Sequence, residues 1–473
     1  MERKTKIVCT IGPASSKPEV IARLIDAGMD VARLNFSHGT WEEHAEAIRT
    51  VKQLSGQKGR PVAILQDLQG PKVRLGAFRG GSATVHPGDQ FTLTTREVEG
   101  TEKIASVGYD RLATEVKAGD QVFIDDGLIH LEVLRTDGVH VVCRVLQGGL
   151  LTNHKGLNIP GVAISVPAVT EKDLTDLEFG VEQGVDYVAL SFVRTSKDIS
   201  RVKELLKRRK VEIPIIAKLE RPKAVRNLDG ILEVADGVMI ARGDLGVEMP
   251  LEEVPLLQKQ IIRKANLHGV IVITATQMLD SMIEHPRPTR AEVSDVANAI
   301  FDGTDAVMLS GETASGAYPV EAVRVMAQVA LEAERGLPSG APSSHEPGSA
   351  QTFPDAISEA ACRVAVETKA RAIVAFTQTG STARLISRFR PATPVIAFTP
   401  NERVRHRLCL YWGVIPKIMA PIEHVDEMIQ KIDDALVADG AAAKGDVLVI
   451  VSGVPIGTKG RTNLLTLHRV GEP

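Results

Sequence analysis

No apolar run in this sequence approaches the roughly 20 residues that a membrane span needs. The short run that follows the charged opening "MERKTK" ends at Gly12 and Pro13, too early for a secretory leader. Neither sign of charge dominates. Lys and Arg number 56 against 59 Asp and Glu, a net charge of -3, which leaves no overall footprint for nucleic acid or an acidic membrane. Basic residues therefore matter locally. The four cysteines, Cys9, Cys143, Cys362 and Cys409, are far apart, with no C-x-x-C and no histidine pattern beside them, so neither a zinc site nor a disulfide framework is indicated. There is no Walker A string, G-x-x-x-x-G-K-[ST], and no short-period repeat or heptad. A reduced, soluble, cytosolic protein is the expectation, and any nucleotide must be held by something other than a P-loop.

What is present is ample core material: 473 residues, 44% of them hydrophobic, enough for about three domains at roughly 150 residues each. Eight apolar runs of strand length stand out: "KIVCTIG" (6–12), "DVARLNFS" (30–37), "PVAILQD" (61–67), "DYVALSF" (186–192), "PIIAKLE" (214–220), "GVMIARGD" (237–244), "VIVITATQ" (270–277) and "DAVMLSG" (305–311). Segments of helical period, such as "KPEVIARLIDAG" and "SKDISRVKELLKRR", lie between most of them. Continuous apolar strands alternating with helices predict a parallel sheet covered on both faces. Eight such units predict a (β/α)₈ barrel over 1–70 and 168–337.

The barrel pattern is interrupted from 71 to 167 by short alternating runs with Gly and Asp turns, read as an inserted all-β domain. It leaves after strand three and returns before strand four, over the barrel mouth, where it can act as a lid that excludes water. Residues 338–354, rich in Pro, Gly and Ser, read as a linker. The segment 355–473 alternates strands and helices again, as a C-terminal α/β domain.

Several of the eight runs begin apolar and end polar: Arg33, Asn35 and Ser37; Asp67; Lys218 and Glu220; Arg242 and Asp244; Thr274 and Thr276. In a barrel these C-terminal strand ends form the active-site face. Strand residues i and i+2 point the same way, so Lys218 projects with Glu220, Arg33 with Asn35 and Ser37, and Arg242 with Asp244. Any one pair is also what a structural salt bridge looks like; all of them at one mouth make a concentrated polar site. Glu220 and Asp244 are hard oxygen ligands of the kind that, with waters and substrate oxygens, suit Mg²⁺. Lys218 and Arg33 supply the positive charge that phosphoryl transfer needs. "GDLG" (243–246) opens a helix-like segment whose N–H groups suit a carboxylate, and Thr276 adds a hydroxyl. His38 follows the Arg33–Ser37 run, where contact with a phosphate and a chance surface position are equally open.

The strings "TKIVCTIGPAS", "MDVARLNFSHGT", "DLQGPKVRLG", "KLERPKAV", "MIARGDLGVEMP", "TATQMLDSMI" and "PTRAEVSDVANAIFDGTDAVMLSGETASGAYP" together resemble the pyruvate kinase family. The resemblance implies transfer of the phosphoryl group of phosphoenolpyruvate to ADP, giving pyruvate and ATP, with Mg²⁺ or Mn²⁺. It implies that Lys218 stabilises the group in transit, that Glu220 and Asp244 hold the metal, and that Arg33 meets the substrate phosphate. Gly243, Asp244 and Thr276 fall at phosphoenolpyruvate-binding positions, with the proton donor to the enolate open between Thr276 and a water chain. Asn35 to His38, Arg74 and Lys155 fall beside the nucleotide. Asn35, Ser37 and Asp67 lie where many members bind K⁺. The form implied lacks an extra C-terminal domain.

Two further expectations concern regulation and cations. Thr377, Thr379, Gly380, Ser381 and Thr382 lie between a strand and a helix of the third domain, as a phosphate nest or as ordinary N-capping. The resemblance implies an allosteric phosphate pocket there, completed by Lys459 and Arg461 of "GTKGRTN", filled by a sugar phosphate or nucleoside monophosphate, in a homotetramer. Members that need K⁺ carry a motif like D-T-K-G-P-E after strand three. Here the segment is "DLQGPKVRL", with Leu68, Gln69 and Lys72 at the threonine, lysine and glutamate positions, so K⁺ is expected to be dispensable. Two other functions use similar chemistry: a Mg²⁺-dependent aldolase or lyase on the same barrel, which needs no β-lid, and a silent metabolite-binding protein, which need not keep Lys218, Glu220 and Asp244.

Overall fold

The computed structural model describes residues 3–125, 127–162, 165–337, 352–456 and 460–472. The eight apolar runs form eight strands: β1 (Lys6–Ile11), β2 (Val31–Asn35), β3 (Ala63–Asp67), β4 (Tyr187–Leu190), β5 (Ile215–Leu219), β6 (Gly237–Ala241), β7 (Ile271–Ala275) and β8 (Ala306–Leu309). They close into one barrel, all parallel, with β8 pairing back to β1. The two-residue period, with both faces covered, explains why the strands are apolar over most of their length. In β1, Ile7 and Cys9 face the helical layer while Val8 faces the barrel interior; in β3, Ile64 faces out while Ala63 and Leu65 face in. Threonine caps start several surrounding helices, with reciprocal capping boxes at Thr40–Glu43, Thr170–Asp173 and Thr289–Glu292.

Between β3 and β4 the chain builds an all-β unit of a six-stranded and a two-stranded sheet. It has its own core, with Phe91, Leu131 and Cys143 fully buried. Beyond the barrel, β9 (Ala372–Phe376), β10 (Val395–Thr399), β11 (Val414–Ile418), β12 (Val447–Ser452) and β13 (Leu464–Arg469) form a sheet in the order β11-β10-β9-β12-β13, in which only β13 runs antiparallel. Most of the segment expected as a linker, 338–351, lies outside the described residues; its end is already helical, because Thr352 caps the helix Phe353–Glu367.

The strands end sooner than the apolar runs suggest. β6 stops at Ala241, and Arg242–Glu248 is a helix. At 3.6 residues per turn, positions two apart point to nearly opposite sides. Arg242 and Asp244 therefore do not share a face, contrary to the strand reading. Arg242 turns to Asp295 at 2.7 Å. Likewise β2 ends at Asn35, and Ser37 sits in a turn whose N–H donates to Asn35 Oδ1 at 3.2 Å.

The lower end of the barrel is plugged by the third domain. Cys409 and Leu410 join the interior core beside Tyr187, and the Tyr187 hydroxyl donates to Arg407 O at 2.7 Å. Lys6 Nζ donates to Val414 O at 2.8 Å. All four cysteines are free, and burial pushes the Cys143 and Cys362 thiols up to about 12, as expected of structural rather than reactive groups. Among the described residues no helix is long and apolar enough to cross a membrane. Leu410→Ala should leave a cavity in the barrel floor and cost about 2–5 kcal/mol of stability. Denaturant unfolding measures this, and a loss under about 1 kcal/mol would mean the plug is not part of the barrel core.

Candidate active site

The alternation that buries Val31, Leu65, Ala189 and Ile216 inside the barrel carries the next inward positions to its upper rim: Arg33, Asp67, Ser191 and Lys218, with Thr10 on β1. These five positions belong to neighbouring strands or their ends, and their side chains are joined. Thr10 Oγ1 donates to Leu309 O and accepts from Arg33 Nη1, each at 2.9 Å. Arg33 grips Asp67 Oδ2 through Nε at 2.8 Å and Nη2 at 2.6 Å. Lys218 Nζ lies 2.8 Å from Glu220 Oε1, 2.8 Å from Ser191 Oγ and 3.3 Å from Asp67 Oδ1.

Charge fixes the protonation of this belt. Burial opposes ionisation of Asp67, which is 1% exposed, but Lys218 and Arg33 outweigh it and hold its carboxyl below the ordinary aspartate value. Burial likewise opposes the Lys218 ammonium, and Asp67 and Glu220 overcome it, so Lys218 stays charged. Burial raises Glu220; the Lys218 ammonium pulls against that, and the Asp244 carboxylate adds to it. Two carboxylates that oppose each other's charge, Glu220 buried and Asp244 half-buried, fit a divalent cation. No group of three or more Asp, Glu, His or Cys that could hold a metal ion occurs among the described residues.

Thr276, just past β7, has φ 66, a strained value for a β-branched residue, and its hydroxyl accepts the Gly243 N–H at 2.8 Å. This ties the end of β7 to the start of the Arg242–Glu248 helix. From the lid, Asn158 donates to Glu248 of that same helix at 3.2 Å. Arg74 and Gly156 form a bridge between two lid segments, Arg74 Nη1 donates to His154 O at 3.0 Å, and Lys155 pairs with Asp125 at 2.8 Å. Burial, then Arg74, Lys72 and Arg33, lower the His38 imidazole below its usual value, so these three cations share one field beside the Asn35–His38 turn.

A model of the pyruvate kinase barrel domain matches residues 2–323, and one of the pyruvate kinase alpha/beta domain matches residues 355–468. The chain belongs to the pyruvate kinase family. Pyruvate kinase of Geobacillus stearothermophilus is 49% identical over 476 residues, covering 100% of this chain and 81% of that protein. Pyruvate kinase of Mycobacterium tuberculosis (strain ATCC 25618 / H37Rv) is 46% identical over 472 residues, covering 100% of this chain and 99% of the relative. The crystal structure of a pyruvate kinase from Cryptosporidium parvum superposes with a TM-score of 0.92 at 36% identity, covering 99% of this chain and 96% of that one. Pyruvate kinases are phosphotransferases, and matches of this length leave no room for the aldolase or lyase reading.

Lys218, Glu220, Arg33 and Asp67 come together at the rim, and Asp244 acts on Glu220 from the helix rather than from a strand. Thr276 and Gly243 meet each other. Arg74 and Lys155 lie on the lid, and Lys459 falls outside the described residues. Thr10 and Ser191 escaped the sequence reading, although each carries the signal used for the others, a hydroxyl near the end of an apolar run. Asp67→Ala would leave Arg33 without its buried carboxylate and Lys218 with one fewer. Breaking a buried pair costs about 3–5 kcal/mol. A denaturation midpoint showing less than about 1 kcal/mol would mean the belt is solvated rather than buried.

Proposed function

We propose that the barrel mouth transfers the phosphoryl group of phosphoenolpyruvate to ADP with Lys218 and Arg33 as its fixed cations. The observation that carries this is the Lys218 ammonium, kept charged between Asp67 and Glu220 at the active-site end of the barrel. A β-phosphate oxygen of ADP attacks phosphorus, the bond from phosphorus to the enolate oxygen breaks, and the enolate takes one proton on carbon, giving ATP and pyruvate. Charge spreads over the moving group, so positive groups that need no reorganisation lower the barrier. Pyruvate kinases use Mg²⁺; Glu220 and Asp244 would hold it, or Mn²⁺, and when bound it neutralises phosphoryl oxygens. Arg33 meets the substrate phosphate, and the Gly243 and Asp244 end of the helix, with Thr276, orients phosphoenolpyruvate. Asn35, His38, Arg74 and Lys155 border the nucleotide. The proton arrives from Thr276 or a water chain. Residues 1–70 with 168–337 form the catalytic unit, 71–167 the lid and 355–473 the regulatory unit, joined by 338–354.

Lys218→Ala should lower turnover roughly two to three powers of ten, or about 3–4 kcal/mol, with far less effect on phosphoenolpyruvate binding. Near-normal turnover in a steady-state assay would remove Lys218 from this role.

For regulation, the proposal is a phosphorylated effector at the third domain of a homotetramer. The order β11-β10-β9-β12 reverses direction between β9 and β12, and ligands of open α/β sheets favour the carboxyl ends of strands at such a switch. There the Gly380 N–H donates to Thr377 Oγ1 at 2.9 Å, Thr379 donates to Ser381 at 3.1 Å, and buried Thr382 meets Thr462 of the late loop at 2.8 Å. The N-cap of the helix Ser381–Arg388 is Gly380, which has no side chain to cap with; Thr377 and Thr379 hydroxyls accept N–H groups there instead, and Arg461 of the late loop is exposed. Titrating sugar phosphates and nucleoside monophosphates at low phosphoenolpyruvate should reveal an activator that lowers its KM. No response to any of them would contradict the site.

K⁺ independence is the third element. Lys72 lies on the strap into the lid, its side chain packed on Gly156, and it is one of the three cations acting on His38. Its ammonium supplies, beside the Asn35, Ser37 and Asp67 region, positive charge that a glutamate at this place would leave to K⁺. A unit charge about 4 Å away is worth roughly 4 kcal/mol at an effective dielectric of 20, so the sign of this residue matters. Turnover with Mg²⁺ and an inert large cation in place of K⁺ should be retained. A loss above about tenfold, near 1.4 kcal/mol, would refute it. Lys72→Glu should lower activity, and added K⁺ should partly restore it.

A further inference from the structure

Ser191, the residue that follows β4, touches both the lid strap and the central ammonium. It is 1% exposed. Its hydroxyl donates to Leu68 O at 2.7 Å and accepts from Lys218 Nζ at 2.8 Å. A serine hydroxyl has one proton and an ammonium has only donors. With the proton committed to Leu68, the oxygen lone pairs face Lys218, so the direction ammonium to hydroxyl to carbonyl is fixed.

Leu68 is the first residue beyond β3, on the way into the lid. Two residues on, Gly70 has φ 69, and a Cβ there would lie 2.9 Å from Ser191 Cβ and 2.8 Å from the Phe192 ring. The strap therefore lies directly on Ser191 and Phe192, which is why only glycine fits. Gly70 is held from the other side, its N–H donating to Asp173 Oδ1 at 2.9 Å. On the far side of this pair of residues, the Phe192 N–H donates to Glu220 Oε2 at 2.7 Å. Ser191 and Phe192 are thus clamped between the strap and the Lys218–Glu220 pair.

We infer that Ser191 is a positioning residue for the transfer reaction: it holds the Lys218 ammonium at a set point by tying it to the Leu68 carbonyl at the root of the lid. Without the hydroxyl, the ammonium keeps Asp67 and Glu220 and is drawn toward them, away from the space in which a phosphoryl group would pass. The inference rests on the role given to Lys218 above, and a double-mutant cycle on kcat separates the two.

Ser191→Ala should lower kcat about ten- to a hundredfold, the size of one hydrogen bond to a charged group, with the KM for phosphoenolpyruvate changed less than about threefold. In the Lys218→Ala background the same substitution should change kcat less than about twofold, because the group it positions is gone. Ser191→Cys, which keeps the volume but offers a weak acceptor, should fall in the same direction as Ser191→Ala, and thermal unfolding of each variant reports whether it is folded. Equal losses in both backgrounds would mean a merely structural serine and overturn the inference, as would unchanged kcat in folded Ser191→Ala and Ser191→Cys enzymes. If Lys218→Ala itself retains near-normal turnover, the failure lies in the role of Lys218.

Discussion

Asp67 holds two buried cations together. Arg33 comes from the neighbouring β2 and Lys218 from β5, beyond β4, and both point into the same rim because of the strand alternation. Two unit charges of like sign at such range repel by several kcal/mol at any dielectric suited to a protein interior. A carboxylate between them turns that repulsion into a fixed array. Once Arg33 and Lys218 are immobilised, the barrel presents positive charge at a defined place without reorganisation, which is the property that makes electrostatic catalysis effective. Glu220 and Asp244 then stand as carboxylates in excess of what Lys218 can neutralise.

The rest of the architecture keeps this array buried and in register. From above, the lid is tied to the Arg242–Glu248 helix through Asn158 and Glu248, and its strap rests on Ser191 and Phe192. From below, Cys409 and Leu410 fill the barrel floor, so the interior between floor and rim is one packed column that includes Tyr187 and Leu65. The third domain is therefore bound into the core of the catalytic unit. The segment between β10 and β11, which carries Cys409 and Leu410, shares packing with β3 and β4.

Much of this was legible in the sequence, and the reason is specific. Eight strands buried on both faces cannot alternate in polarity, so they read as continuous apolar runs, and polar residues at their ends can only belong to a rim. That logic located Arg33, Asp67, Lys218 and Glu220. It failed at Arg242 and Asp244, where the chain turns helical at once and the two-residue period no longer holds. It also passed over Thr10 and Ser191, whose hydroxyls look like ordinary strand residues until register shows which neighbours they reach. The placement of Lys72 against Gly156 depends on how the lid folds back, a long-range pairing that no local pattern encodes.

The fate of the phosphorus decides whether the barrel mouth transfers a phosphoryl group to ADP. Purified protein with Mg²⁺, phosphoenolpyruvate and ADP, followed by phosphorus NMR, reports this directly. The charge array described here predicts that each phosphoenolpyruvate signal lost reappears as one γ-phosphate of ATP, with an equal amount of pyruvate. Inorganic phosphate in place of ATP, or no loss of phosphoenolpyruvate at all, would contradict it.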